Sequence, residues 1–460
     1  MKKKNMRSAA HRKQALLKRN SAKYRKYRRK LMLRGGIMLL ILLTLGTGVF
    51  LGVRAVVRKV NHAVDSYHEK KAEEAAEFER KYGPKEITVG ATGSFILHGP
   101  ILNSERYSRG QDQYDFSDCF KFIKSAYSKP DFMTSEFEGS LTGGDYSGYP
   151  SFQTPDILVQ NIADSGIDLQ NLASNHLYDG MSEGFRRTMD VFNKRGLLYG
   201  GVRMNTNEKP YHIEEINDIK VGYINYVYEP NENNGDPNDV ELNASVLRKE
   251  DVPLINTFNY KKLDKFYKEL EENLNQMRAD GAQFLIVNLH WGTEYQLKES
   301  QEQRNIAKKL CEMGVDAIIG GHPHCEQPID MLETDEGHRM FCIYSVGNAF
   351  CNQRKDLIEE MPEGHTEDGV IVTLTIHRNR DAKVLLRDVN LTPTWVYCQR
   401  HEGNNLYYIL PLDDVENLEK NTGLSGIKNE AQASYDRTME ELGPGLEKVK
   451  EILSTVEFDT

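Results

Sequence analysis

Val315-Asp316-Ala317-Ile318-Ile319-Gly320-Gly321-His322-Pro323-His324 is the stretch from which the fold is read outward. An apolar run that halts at a glycine pair is a buried strand delivering its carboxyl end to a loop. Two histidines one residue apart then aim ring nitrogens at neighbouring points in space, as a metal site requires. A lone His-x-His carries little weight. It gains weight from three polar clusters at the ends of other apolar runs: Glu136 with Glu138, Asn175-His176 with Asp179, and His290 with Glu294.

On either side, short apolar runs alternate with longer amphipathic ones. The pattern predicts strands over Ile87 to Leu97, Phe132 to Phe137, Val221 to Tyr228, Phe284 to Leu289 and Met340 to Val346, the last leading to Gly347-Asn348. It predicts helices over Phe116 to Tyr127, Gly184 to Arg195 (stopped by Gly196), Tyr260 to Ala279 and Gln301 to Met313. Strands alternating with helices define an α/β layered domain, in which ligand groups gather where strand carboxyl ends meet loops. Every polar cluster named above falls at such an end. Glu229 to Asn259 lacks a period and reads as a long surface loop bordering the site, with a glycosylation triplet by pattern at Asn243-Ala244-Ser245. Residues 396–460 read as a C-terminal extension holding a short apolar segment, Leu406 to Leu412, and an acidic helical tail.

Charge divides the 460-residue chain unevenly. Residues 1–34 hold fifteen Lys or Arg and no acid, which leaves 44 basic against 68 acidic residues beyond them, a balance of −24. A basic tail alone would suit nucleic acid, but an uncharged, Leu/Ile-rich run of 19 residues follows at 35–53. That length crosses a hydrocarbon core of roughly 30 Å as one helix. The Lys/Arg excess before it predicts a cytoplasmic tail, a single membrane span and an extracytoplasmic main domain, with no nucleic-acid partner. A cleaved signal peptide fits less well, because the basic region is long and no A-x-A site follows. Residues 54–84, rich in Ala, Glu and Lys and closed by Gly83-Pro84, read as a helical stalk. The six cysteines form no C-x-x-C and read as buried small hydrophobes, with Cys325 a candidate soft ligand beside the two histidines.

These motifs resemble the CapA family of bacterial capsule-synthesis proteins linked to poly-γ-glutamate. The resemblance covers about residues 86–395. It rests on Ser135-Glu136-Phe137-Glu138-Gly139, Asn171-Leu172-Ala173-Ser174-Asn175-His176 with Asp179, Leu289-His290-Trp291-Gly292 with Glu294-Tyr295, Gly321-His322-Pro323-His324, and Tyr344-Ser345-Val346-Gly347-Asn348. The family is similar in fold to the calcineurin-like metallophosphatases, which implies a four-layer αββα arrangement, a central β sandwich flanked by helices. Carried over by motif, the resemblance implies that Glu138 is the bridging carboxylate, that Asn175, His290 and His322 complete one metal position, and that His324 serves another. It implies that His176, held by Asp179, protonates a leaving oxygen or steadies developing charge. Ser94, Glu136, Trp291, Glu294 and Asn348 are then supporting or substrate-binding residues. Such a donor set suits a divalent cation (Mn, Zn or Mg), whose charge activates water.

One departure stands out. The family usually carries Asp where this chain has Ser94, and the phosphatase histidine two residues later is Ile96 here. A hydroxyl is a poor substitute for a carboxylate on a hard cation, so one ion is expected in preference to two, with Glu136 as partial compensation. Taken singly, each motif has a plain reading: Asn175-His176 as a capped turn, His290-Trp291-Gly292 as a strand end with an aromatic plug, Glu138-Gly139 as a turn. His98, His212, His338, His365, His377 and His401 fall outside the pattern and read as ordinary surface or packing histidines. Three functions follow as expectations. One is a membrane-anchored extracytoplasmic protein of capsule polymer synthesis or export, working with other capsule-synthesis subunits and an anionic polymer. Another is a metal-dependent hydrolase of phosphate ester or amide bonds. The last is a scaffold with a degenerate metal site.

Overall fold

The computed structural model describes residues 83–456 apart from 111–112, 231–238 and 402–403, and before them 25–26, 29–34, 62, 64–74 and 77. The chain divides into two compact units, Met1–Lys81 and Tyr82–Thr460. In the first, residues 29–34 and 64–74 are helical, the latter within the expected stalk. The 35–53 run lies outside the described residues, and among those described no helix is long and apolar enough to cross a membrane.

The second unit is a mixed α/β fold built on two sheets. The first sheet runs Leu406–Pro411, Val384–Gln399, Asp368–Arg378, Lys85–Phe95, Phe132–Phe137, Leu169–Asn171, Leu198–Gly200, with Asn348–Phe350 also paired to Lys85–Phe95. The second runs Thr257–Phe258, Ile219–Tyr228, Phe284–His290, Ala317–Gly321, Arg339–Val346, Glu326–Glu333, with His212–Ile216 added beside Ile219–Tyr228. The strands carrying the polar motifs are parallel within each sheet, so their carboxyl ends emerge together.

Three apolar cores show how the sheets stack. Ile87, Val89 and Val372 of the first sheet meet Val221, Ile286 and Ile343 of the second in a central core. Leu158, Phe185, Met189 and Phe192, from helices Ile157–Asp164 and Met181–Arg195, cover the outer face of the first sheet. Phe266, Leu270, Leu274, Ile306 and Leu310, from helices Leu263–Ala279 and Gln301–Glu312, cover the second. This is the expected helix–sheet–sheet–helix order. Each fully buried aliphatic side chain contributes roughly 1.5–3 kcal/mol.

Two elements differ from expectation. The segment 116–127 is a 3-10 turn, Ser117–Phe120, and a short helix, Lys124–Tyr127, rather than one helix. It lies between two cores: Phe116, Cys119 and Phe120 enter one, while Phe122 turns the other way onto Tyr408 with ring centroids 5.2 Å apart. A single helical stripe cannot serve both. The segment after residue 395 is also integral to the sheet. The strand Val384–Gln399 spans that boundary and pairs with Leu406–Pro411. Helix Lys428–Ser454 places Leu442, Leu446, Val449 and Leu453 in the central core, a spacing that puts them on one face.

Candidate metal centre

The site is assembled by strand register. Ser94 lies opposite both Glu136 and Asn348, and His290 lies opposite Gly321. The tight approach of the first strand needs Gly93, where a Cβ would stand 2.0 Å from the Gly347 carbonyl oxygen. The loops from the second sheet are bound to each other. The Trp291 backbone amide donates to Gly321 O (3.1 Å), the Tyr295 backbone amide to Pro323 O (2.9 Å), and the Gln327 side-chain Nε2 to Gln296 O (2.8 Å). Tyr295, His322 and His324 all sit in the left-handed region, with φ of 58°, 97° and 57°. Non-glycine residues held there cost about 1–3 kcal/mol each and persist where the surroundings fix them, often at functional sites.

Glu138, His290 and His322 bring ligand atoms within 4.8 Å of one another. Asn175 joins them, its Oδ1 3.0 Å from His290 Nε2. His290 Nδ1 lies 2.7 Å from Glu136 Oε1, and the Ser94 hydroxyl donates to Glu136 Oε2 at 2.7 Å. Glu136 therefore uses both oxygens within the protein and orients the ring of His290. Ser94 is the donor that fixes Glu136. With His290 Nδ1–H donating to Glu136, Nε2 faces the amide oxygen of Asn175, and two acceptors at that distance are reconciled by a second ring proton, by a cation, or by the amide turned to present Nδ2. Burial opposes charge on His290, yet Glu136 and Glu138 hold its pKa above the ordinary value.

Glu138 is the exceptional group. It has no solvent exposure and neither carboxylate oxygen has a hydrogen-bond partner. Burial pushes its pKa up to about 7, against the opposing pull of His290 and His176. An unsatisfied buried carboxylate is costly unless something pairs with it. His324 Nε2 stands 3.9 Å from Glu138 Oε1. Burial, reinforced by His290, lowers the His324 pKa to about 3, and burial sends His322 well below its ordinary value, so both are neutral imidazoles with a lone pair to give. This arrangement fits a divalent cation: one free carboxylate, an amide oxygen and neutral imidazoles, with a supporting carboxylate behind.

Beside it stands the His176–Asp179 pair. His176 Nδ1 meets Asp179 Oδ2 at 2.7 Å, and Asp179 also accepts from the Phe152 amide at 2.6 Å. Asn243 Nδ2 donates to Asp179 Oδ1 (2.8 Å) and Pro150 O (3.0 Å). Its 3.1 Å approach to His176 Nδ1 is a close contact, not a hydrogen bond, because that nitrogen carries the proton shared with Asp179. The edge of the Phe152 ring packs on His176, centroids 4.6 Å apart.

Asn348 joins the site through His324, its Oδ1 3.2 Å from His324 Nδ1. Glu294 groups with His322 and His324, ligand atoms again within 4.8 Å. Trp291 lies apart. It is fully buried in the outer core, donating to Tyr344 O at 2.9 Å, and so anchors the loop rather than lining the site. Cys325 is buried, directs its thiol at Gln296 O (3.3 Å) and belongs to neither ligand group; all six cysteines are free. One residue escaped the sequence reading. Asn243 read only as a glycosylation triplet, yet its amide nitrogen donates to Asp179; it comes from a loop without a period, so nothing in the sequence marked it. His98 read as a surface or packing histidine, and it packs: its ring lies against Phe152 (5.0 Å) and accepts from the Asn352 amide (3.2 Å), and burial lowers its pKa to about 4.

Paired sheets with a carboxylate–amide–imidazole cluster at their strand ends define an α/β fold with a candidate metal centre. The chain belongs to the family described as bacterial capsule synthesis protein PGA_cap, whose match spans residues 88–353, more than half the chain. It is 22% identical over 267 residues to the capsule biosynthesis protein CapA of Bacillus anthracis, covering 56% of this chain and 60% of that protein. It is 23% identical over 268 residues to the PGA biosynthesis protein CapA of Bacillus subtilis (strain 168), covering 57% and 63%. The matched segment thus spans less than two thirds of either relative.

Proposed function

We propose that the 83–456 unit is the extracytoplasmic part of a membrane-anchored protein of capsule synthesis or export, of the poly-γ-glutamate type, acting through a divalent cation held by Glu138, Asn175, His290 and His322. The observation that carries the cation is Glu138, buried with both oxygens free of hydrogen bonds. Family membership and the names of the two relatives support the capsule role. The basic tail and the uncharged 35–53 run support the anchor and its orientation. The balance of −24 beyond residue 34 repels an anionic polymer at long range, and among the described residues the hydrogen bonds and ion pairs of Glu136, His290 and His324 at the centre involve no Lys or Arg. A cation at Glu138 is then the attraction available to a carboxylate or phosphate.

When bound, the cation supplies Lewis acidity toward water and toward a carbonyl or phosphoryl oxygen. Glu136 keeps the Nε2 lone pair of His290 aimed inward. Asp179 fixes the tautomer of His176, which leaves Nε2 to hold a proton for a leaving oxygen or nitrogen. That pair favours a second reading, metal-dependent hydrolysis of a phosphate ester or amide. On it, Asn175→Ala and His322→Ala lose turnover, and Asp179→Asn lowers it about 100-fold or more with binding retained.

Deleting the gene is expected to change the amount or chain length of surface polymer; unchanged polymer would remove the capsule role. Protease added to intact cells is expected to digest 86–460 and spare the tail, and the reverse would invert the orientation. Ser94→Asp separates a working site from a degenerate one. It sets a second acid against Glu136, which already accepts from Ser94 at 2.7 Å. A working site gains little or loses function, whereas a degenerate scaffold gains metal or activity.

A further inference from the structure

The loop at residues 147–153 is fastened to the His176–Asp179 pair at three points. The Phe152 amide donates to Asp179 Oδ2 (2.6 Å), Ser151 Oγ donates to Asp179 O (3.3 Å), and Asn243, which also donates to Asp179, reaches Pro150 O (3.0 Å). Ser147 and Gln153 exchange both backbone hydrogen bonds at 3.0 Å, which closes the turn between them. The Phe152 ring is held against two imidazoles, 4.6 Å from His176 and 5.0 Å from His98. Tyr149, at the tip of the turn, is left in solvent. Its ring stands 6.5 Å from Phe152, and at 79% it has the highest exposure of any large hydrophobic residue described. A single exposed aromatic carries no meaning by itself. This one is presented by a turn that the site itself holds, and a ring fixed in place before contact loses little freedom on binding. On the His324 side stands a second tyrosine. The Tyr295 ring is 6.1 Å from His324, and its hydroxyl accepts from Gln353 Nε2 (3.1 Å), whose amide oxygen accepts from Asn348 (2.9 Å). Burial chiefly, then Glu294, raises the Tyr295 pKa, and Tyr149 is near enough to add to the rise.

We propose that Tyr149 is a substrate-contact residue that, with Tyr295, receives an extended anionic polyamide chain laid over the centre, with methylenes and amide planes against the rings. The two tyrosines sit on different loops, one beside His176 and one beside His324, so the ligand that touches both is a chain rather than its monomer. Aromatic faces suit a backbone of alternating methylenes and amides, and each phenol adds a polar handle for a carbonyl or carboxylate. The rings supply the contact area, while the cation supplies the attraction that the acidic surface does not.

The inference rests on the capsule-polymer reading, and the test separates the two. Full-length chain, solubilised in detergent and loaded with Mn2+, is titrated into end-labelled poly-γ-glutamate and followed by fluorescence anisotropy. Tyr149→Ala is expected to weaken polymer binding about 10-fold, with Mn2+ affinity within about 2-fold of wild type and melting unchanged, because the side chain is exposed. Tyr149→Trp is expected to hold polymer at least as well as wild type, since the ring carries the contact. Tyr149→Ala that binds polymer like wild type, while Glu138→Gln does not bind it, overturns the aromatic contact and leaves the polymer reading standing. Tyr149→Trp as weak as Tyr149→Ala likewise overturns the role given to the ring. A wild type that binds no polymer overturns the polymer reading and this inference with it.

Discussion

Two of the regions in which this molecule buries carboxylates completely treat them in opposite ways. Behind the centre, Glu326 and Asp368 are fully buried where helix Lys428–Ser454 crosses the strands. Asp368 accepts from Ser434 Oγ (2.6 Å), Arg437 Nε (2.6 Å) and Arg437 Nη2 (2.8 Å), and Glu326 from Thr438 Oγ1 (2.9 Å). All four donors come from three side chains on successive turns of one helix, so the charges fasten that helix down. At the centre Glu138 is buried as deeply and has no hydrogen bond at all. The chain thus has the means to satisfy a buried acid and does not use it where an incoming cation would do so. Glu136, two residues earlier, makes the same point within one strand, since both its oxygens are occupied by Ser94 and His290.

The contrast is sharpest when each region loses its key group. Glu138→Gln should weaken divalent-metal binding by more than about 100-fold, because a ligand is lost rather than a supporting group. In chelator it should melt no lower than wild type, since an uncompensated buried charge has been removed. Arg437→Met should do the reverse. It leaves Asp368 and Glu326 without their cation and should cost about 3–5 kcal/mol in urea denaturation while metal affinity stays within about 3-fold. If Glu138→Gln destabilised the metal-free protein as much as Arg437→Met, the two regions would not differ in kind.

Smaller effects test the intermediate case of Glu136. Glu136→Gln should lower metal affinity about 10- to 100-fold by loosening His290, and Ser94→Ala by about 10-fold at most, because the His290 contact survives. Equal loss in Glu136→Gln and Glu138→Gln would make Glu136 a ligand. Smallest of all, Asn243→Ala removes one donor to Asp179 and should cost about 1 kcal/mol of stability, read by thermal melting, with metal affinity unchanged.

The sequence made the centre more legible than the frame around it. Strands at Phe132, Phe284 and Ala317 could be read because each is an apolar run ending in a polar cluster or a glycine pair. The strands Asp368–Arg378 and Val384–Gln399 carry no such ending, and their buried and half-buried residues mix along each strand, so only the structure places them. Helix 116–127 was misread because one stripe was assumed where two cores compete. Within the site, residue types and order singled out Glu138, His290, His322 and His324, which the structure brings near one another. Neither order nor spacing can reveal that Glu136 is satisfied and Glu138 is not, since that depends on Ser94 standing opposite Glu136 across the sheet. Asn243 arrives from a loop with no period and was invisible for the same reason.

The central claim is that Glu138 is kept free for a divalent cation. Elemental analysis of the purified chain after equilibration with Mn2+ and Zn2+ and exhaustive dialysis, run beside Glu138→Gln, tests it most directly. The account predicts at least one ion per folded wild-type chain and almost none in Glu138→Gln. A folded wild type without metal, or a Glu138→Gln chain that holds as much as wild type, would contradict it.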